Sequence, residues 1–338
     1  MSSQHTTRRR FIQQSTLALA ASAMAPQWVT AAENSPTNDG GVPLRPLGKT
    51  GVDVAMLGLG GHHFGQIKNE RTAIKLGRRA IDKGVTFLDN AWCYHGGRSE
   101  ERMGQMLQDG YREKVFLMTK HHGRKTKAEA MEQLETSLKR LKTDHIDLWQ
   151  FHEIGYQQDI DWIFGDDGAI AAADQAKQDG KVRFIGFTGH KYPEVLSNMM
   201  VAGYEWDAVQ MPVNPFDPHY HSFIKGTVPY IVDRGAGVIA MKTMGGGGGN
   251  LLRSGAVTYQ DCLNFAWSQP VSTIVCGMTT NDMVDQNVAA AQSFQPMSQE
   301  AIDALLAKTA EPAKNGRHEP YKASIAYDGP VSRELHGT

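Results

Sequence analysis

Eight short apolar runs, each followed by a longer segment with helical spacing, limit what this chain can fold into. They fall at 54–59, 86–89, 115–120, 146–152, 183–188, 208–211, 237–241 and 271–276. Runs such as VFLM, LWQF and GVIAM are apolar without strict alternation, which suits strands covered on both faces in a parallel sheet rather than half-exposed antiparallel ones. The clearest helix between them spans 127–141, where Met131, Leu134, Leu138 and Leu141 repeat on one face and Lys and Glu occupy the other. Eight such units in 338 residues predict an α/β chain folded as a (β/α)8 TIM barrel, in one domain. A doubly wound sheet is the competing arrangement, but its first-turn GxGxxG is represented only by GLGGHH, which lacks the required glycines. Two short apolar runs about the turn at Gly48–Gly51 predict an N-terminal β-hairpin ahead of the first barrel strand. The barrel is expected over 43–311, its last helix over 299–309, with a C-terminal extension over 312–338.

The two ends of the sequence differ from this pattern. Residues 1–32 carry three consecutive arginines, an Ala-rich apolar stretch from Leu17 to Ala25, and small residues at Ala31 and Ala32 suited to cleavage. This reads as an export signal, and its apolar part is too short and weak for a permanent membrane anchor. Thr7-Arg8-Arg9-Arg10-Phe11-Ile12 resembles the twin-arginine signal. That resemblance implies the twin-arginine export machinery as a partner of the precursor, folded cargo, and a bacterial periplasmic location. Residues 33–42 are polar and breaker-rich, as expected of a linker.

Charge narrows the partners. With 35 basic and 36 acidic residues, a formal net charge of −1 and no block of five like charges, the chain offers nucleic acid little to hold and favours a small-molecule partner. Cys93, Cys262 and Cys276 form no CxxC, so neither a zinc ribbon nor an iron–sulfur cluster is expected.

In a TIM barrel the C-terminal strand ends share one mouth. Reading the tips places Asp89 at the end of the second run, Tyr94 in the loop behind it, Lys120 at the end of the third and His152 at the end of the fourth. Singly, each has an ordinary explanation: Asp89 and Lys120 as a buried ion pair, Tyr94 on a loop surface, His152 as a core histidine. Together at three consecutive tips they suit proton transfer. A phenol is a poor acid until an ammonium stabilises its anion, Asp89 would hold Lys120, and His152 would hydrogen-bond a substrate oxygen. Two rival functions use the same barrel. His62-His63, His121-His122 and His219-Tyr220-His221 invite a metal-dependent hydrolase, but adjacent residues on a strand point oppositely and no inward acidic bridge is evident, so no metal ligands are assigned. A non-catalytic nicotinamide-binding module is the third possibility, against which the intact set of four argues.

The segments RPLGKTGVDVAMLGLGG, FLDNAWCYHGGRSEERMG, LMTKHH, SLKRLKTDHIDLWQFH and KVRFIGFTGH together resemble the aldo-keto reductase family over nearly all of the chain behind the signal. The resemblance implies that Asp89, Tyr94, Lys120 and His152 are the catalytic tetrad. It implies hydride transfer between NADP or NAD and a carbonyl or alcohol substrate, an aldehyde, ketone or sugar. It also implies cofactor contacts at Gly61; at Thr188 and Gln210 for the carboxamide; at Met241, where the family usually stacks a Tyr; and at Lys242 and Gly246, beside the pyrophosphate. Gly277, Met278, Thr279, Gln286 and Asn287 would hold the adenosine end. The chain departs from the family's pattern in Asn90 for Thr, His95 for Gly, and Thr188-Gly189-His190 where Ser-Asn is usual. No Lys or Arg follows Gly277 until Lys308, so selection between NADP and NAD is expected to be weak. His318, Tyr321 and Tyr327 of the extension are candidate substrate contacts if the tail lies over the mouth rather than along the surface.

Overall fold

Side-chain parity along the strands organises the interior. In the computed structural model, which describes residues 35–322 and 324–338, a hairpin of β1 (Leu44–Pro46) and β2 (Asp53–Ala55) precedes eight parallel strands closed into a barrel. These are β3 (Leu57–Gly60), β4 (Phe87–Asp89), β5 (Phe116–His121), β6 (Ile146–Phe151), β7 (Val182–Thr188), β8 (Ala208–Pro212), β9 (Gly237–Met241) and β10 (Thr273–Cys276), and β10 returns to pair with β3. Phe87, Phe116, Met118, Leu148, Ala208 and Ile239 face inward and form one buried cluster with Leu47 and Val54 of the hairpin. Two residues further along, the same parity presents Asp89, Lys120, Gln150, Gln210 and Met241 to the mouth. One alternation thus builds an apolar floor and a polar rim. The register pairs Gly60 with Asp89, Lys120 with Gln150, and Thr188 with Gln210.

The hairpin seats on the barrel's N-terminal end through Gly48. Its φ is +53°, and a Cβ there would lie 2.4 Å from the Gly235 carbonyl oxygen, so only glycine allows that approach. The helix Lys127–Leu141 starts where Thr126 accepts a hydrogen bond from Glu129 N at 3.1 Å. It buries Ala130, Leu134, Leu138 and Leu141, while Met131, expected on that face, is only partly buried. No helix among the described residues is long and apolar enough to cross a membrane.

The signal segment over 1–32 lies outside the described residues. The part of the 33–42 segment that is described does not hang free as a linker. Asn38 donates to Gly84 O at 2.7 Å and accepts from Val42 N at 3.1 Å, and Val42 is buried in the main core. A short polar segment can dock in this way when one side chain supplies the hydrogen bonds that its backbone would otherwise take from water.

At the other end the last barrel helix runs from Gln299 to Ala313, and the extension continues through short turns into a helix at Pro330–His336. Two ion pairs and a histidine–carboxylate contact fix the extension to the barrel. Lys322 Nζ lies 2.7 Å from Asp217 Oδ1, Lys191 Nζ lies 2.7 Å from Asp328 Oδ2, and His336 Nε2 lies 2.9 Å from Asp159 Oδ1, which also pairs with the buried Arg124. Tyr321 is fully buried, bonding Glu319 at 2.7 Å and accepting from Asn214 at 3.0 Å. Of the two courses open to the tail in the sequence, the structure takes the one over the mouth: the Gly329 N–H donates to the Glu153 carboxylate at 3.3 Å, one residue beyond His152.

Candidate functional site

The tip of β4 and its loop carry two of the four polar groups. Asn90 Oδ1 caps the turn by accepting from Ala91 N at 2.9 Å, Trp92 N donates to Lys120 O at 2.8 Å, and Tyr94 opens a short helical turn over Tyr94–Gly97. His95 within it has φ +56°, a left-handed conformation that explains why glycine is usual there in the resembled family. The imidazole bonds His62 O at 2.8 Å, which offsets part of the backbone strain. Gly97, at φ +95°, leaves no room for a Cβ because the Arg140 guanidinium would lie 2.3 Å away.

Lys120 joins the set. Its Nζ lies 2.6 Å from Asp89 Oδ1 and donates to Asn90 O at 2.6 Å and to Tyr94 Oη at 3.2 Å, so all three ammonium protons are directed. Asp89 and Lys120 are 3% and 1% exposed, which makes this a desolvated pair with the phenol as its third member. His152 lies beside Tyr94, ring centroids 5.6 Å apart and edge to face. The four residues read from the strand tips therefore converge.

The electrostatics differ from the expectation in one respect. Lys120 was expected to draw the phenol's pKa down. Instead burial, followed by the charge of Asp89, pushes Tyr94 well above its usual 10. The Asp89 carboxylate already answers the ammonium, so the resting phenol is firmly protonated. Burial likewise pulls His152 well below 6.5 and leaves it neutral.

The residues expected around the cofactor fall into two sets. Gln210 Nε2 donates to Asp89 Oδ1 at 3.1 Å, while its buried Oε1 has no partner; such an acceptor fits an amide N–H of a nicotinamide carboxamide. Met241 ends β9, and Lys242 follows with φ +54° and Nζ 5.1 Å from the Tyr321 ring and 5.7 Å from the Tyr327 ring. Although Lys242 keeps some exposure, burial lowers its pKa to about 8. Gly245 to Gly249 all have positive φ, and Gly245 to Gly247 lie against the tail, where a Cβ on Gly247 would lie 2.5 Å from Tyr327 Oη. The loop with Gly246 and the C-terminal extension thus form one roof.

The other expected residues are bound into the surrounding loops and helices to differing degrees. A Cβ on Gly61 would lie 2.4 Å from Asp89 O, so its part is to let two strand ends approach. Thr188 Oγ1 accepts from Glu153 N at 3.0 Å and is committed to a loop. Gly277 packs against the His63 ring, and Met278 is fully buried. Thr280 caps the helix Asn281–Gln292 by accepting from Met283 N at 3.2 Å. Thr279 donates to Met283 Sδ at 3.5 Å. On that helix Gln286 is exposed, while Asn287 is buried with its Oδ1 unpartnered. His318 bonds Asn250 O at 3.1 Å, facing the glycine loop.

Sequence reasoning did not name Glu153, and it named Cys93, His122 and His190 without bringing them to these four residues. His122 Nε2 lies 3.1 Å from His152 Nδ1, and His190 Nε2 lies 3.3 Å from Glu153 Oε1. Parity could have found His122, which follows Lys120 by two, whereas its neighbour His121 turns outward to stack on Trp149 at 3.9 Å.

Comparison with known proteins agrees with this geometry. The family model "Aldo/keto reductase family" matches residues 56–254. The chain is 31% identical over 241 residues to YrpG, an uncharacterised oxidoreductase of Bacillus subtilis, covering 63% of this chain and 70% of that one. It is 27% identical over 319 residues to L-galactose dehydrogenase of Arabidopsis thaliana, covering 81% and 96%. Among solved structures, the aldo-keto reductase AKR11C1 from Bacillus halodurans, in its holo form, superposes with a TM-score of 0.66 at 25% identity, covering 82% of this chain and 99% of that one.

Proposed function

Because the chain belongs to the aldo/keto reductase family, an oxidoreductase family, we propose that it interconverts a carbonyl and an alcohol using a nicotinamide dinucleotide, with Tyr94 as the proton donor and acceptor. The observation that carries this reading is the Lys120 ammonium, shared between Asp89 and the Tyr94 hydroxyl. When bound, the dinucleotide supplies or takes the hydride. In reduction the Tyr94 O–H bond breaks and its proton passes to the carbonyl oxygen, leaving a phenolate beside Lys120 Nζ. The ammonium offsets that new charge at the moment it forms, in a site that excludes water. Asp89 keeps Lys120 in position between turnovers. His152, neutral, donates a hydrogen bond that orients the substrate oxygen. Alcohol oxidation runs these steps in reverse and needs the phenolate, so a phenol held well above its usual pKa makes oxidation climb with pH while reduction stays level.

Fluorescence titration with NADH and NADPH, followed by turnover on a panel of aldehydes, ketones and sugars, tests this reading. Both forms are expected to bind, with a preference of about tenfold or less, because hydroxyls and a helix N-terminus select a phosphate less sharply than a guanidinium. Binding of neither form would sink the proposal, and a preference above roughly a thousandfold for NADPH would mean that a basic group such as Lys242 reaches the 2′-phosphate.

Export by the twin-arginine route to the periplasm belongs to the same reading and is supported by Thr7–Ile12 of the sequence. A dinucleotide bound before export and recycled in place by two alternating substrates answers the scarcity of free cofactor outside the cytoplasm. Replacing Arg8 and Arg9 with Lys should strand the precursor in the cytoplasm, and periplasmic protein should release dinucleotide on denaturation. Exported protein that proves empty would refute in-place recycling.

A further inference from the structure

Beside Tyr94 the mouth holds a second constellation that the hydride chemistry engages only through His152. Cys93 precedes Tyr94 in the β4 loop, His122 shares the inward parity of Lys120 just past the end of β5, and His152 follows β6. Their donor atoms close a small triangle. His122 Nε2 is 3.1 Å from His152 Nδ1 and 3.3 Å from Cys93 Sγ, and Cys93 Sγ is 3.6 Å from His152 Nδ1. Around a tetrahedral zinc with ordinary Zn–N and Zn–S lengths, two nitrogens lie about 3.3 Å apart and a nitrogen and a sulfur about 3.6 Å apart. The triangle matches those edges to within a few tenths of an ångström. A carboxylate is also in reach: Glu153 Oε2 lies 3.8 Å from His122 Nε2, and the other oxygen of Glu153 is held by His190 and Gly329 N, at 3.3 Å each.

We infer that Cys93, His122 and His152 form a binding site for one borderline-soft divalent metal ion of the zinc class, with Glu153 or water as the fourth ligand. The donor set of one thiolate and two imidazoles selects such an ion over calcium or magnesium, which take oxygen ligands. Binding breaks the Cys93 S–H bond, releases that proton to solvent and forms the sulfur–metal bond. The imidazoles bind as neutral ligands through His122 Nε2 and His152 Nδ1, with their protons on the opposite nitrogens. His122 Nδ1 is buried without a partner, so no hydrogen bond on its far side fixes either tautomer. A metal on His152 Nδ1 would hold the ring proton on Nε2. The ion is then compatible with a His152 that donates to substrate, and its presence does not depend on the hydride reading.

The test uses the full chain, freed of metal by a chelator and titrated with Co²⁺. The expected result is a thiolate-to-cobalt charge-transfer band with tetrahedral d–d bands, saturating at one ion per chain and displaced by Zn²⁺. Cys93→Ser should abolish the charge-transfer band, His122→Asn should weaken binding at least about tenfold, and His145→Asn, on the surface, should leave the titration unchanged. A second measurement needs no variant. Cys93 is half-buried while Cys262 and Cys276 are buried, so a maleimide should label Cys93 ahead of the other two, and stoichiometric Zn²⁺ should slow that labelling. No charge-transfer band at saturating Co²⁺, or one that persists in Cys93→Ser, would overturn the site. Because the readout is spectroscopic, a chain that shows the band without hydride transfer upholds the metal site and fails the reductase reading, and the converse fails only the metal site.

Discussion

Replacing Tyr94 with Phe is expected to lower kcat for carbonyl reduction by roughly a thousandfold while leaving dinucleotide affinity within about twofold of wild type. Among the described residues the phenol is the one hydroxyl bonded to Lys120, at 3.2 Å, and the substitution removes that oxygen and nothing else. Steady-state kinetics with a fluorescence titration of the cofactor checks both halves. Turnover close to wild type would remove Tyr94 from the chemistry and return the site to one of its rivals. A joint loss of turnover and dinucleotide binding would mean that the ring shapes the cofactor cleft.

The second large effect separates an ion pair that serves the fold from one that serves the reaction. Lys120→Met leaves the Asp89 carboxylate buried at 3% exposure, with Gln210 as its remaining side-chain donor among the described residues. An unpaired buried charge of this kind costs about 3–5 kcal/mol of stability. Turnover should fall about as far as in Tyr94→Phe, since the phenolate would form with no cation beside it. Adding Asp89→Asn removes the stranded charge, and urea unfolding should then recover most of the lost stability. Turnover should not return with it. A double variant that regains both would show that the pair is structural.

The strands and the polar rim were legible because both follow from a period of two, whereas Tyr94, in the turn behind β4, was read from its place in the loop. Once Phe87 and Met118 are assigned to the floor, Asp89 and Lys120 can only face the mouth. Groups that meet through long loops were not legible. The Asp217–Lys322 pair joins residues 105 positions apart in the chain, and no local pattern announces it. Cys93 sat inside a motif already read for Asp89 and Tyr94, yet its meeting with His122 and His152 depends on how three loops fold back. The phenol's acidity was misjudged for a related reason. Burial, the first cause of the raised pKa, cannot be read from residue types, and neither can the closer approach of Lys120 to Asp89 at 2.6 Å than to Tyr94 at 3.2 Å.

The extension that carries Lys322, Asp328 and His336 is synthesised after every strand of the barrel. A nascent chain can therefore hold all eight strands with Asp89, Tyr94, Lys120 and His152 while Asp217, Lys191 and Asp159 still await the tail groups that pair with them. During that interval the mouth lacks the Tyr321 and Tyr327 side of its roof, and Gly247 lacks the tyrosine it rests against. The mouth is thus finished last, which makes a closed roof a molecular sign that translation has passed the whole barrel.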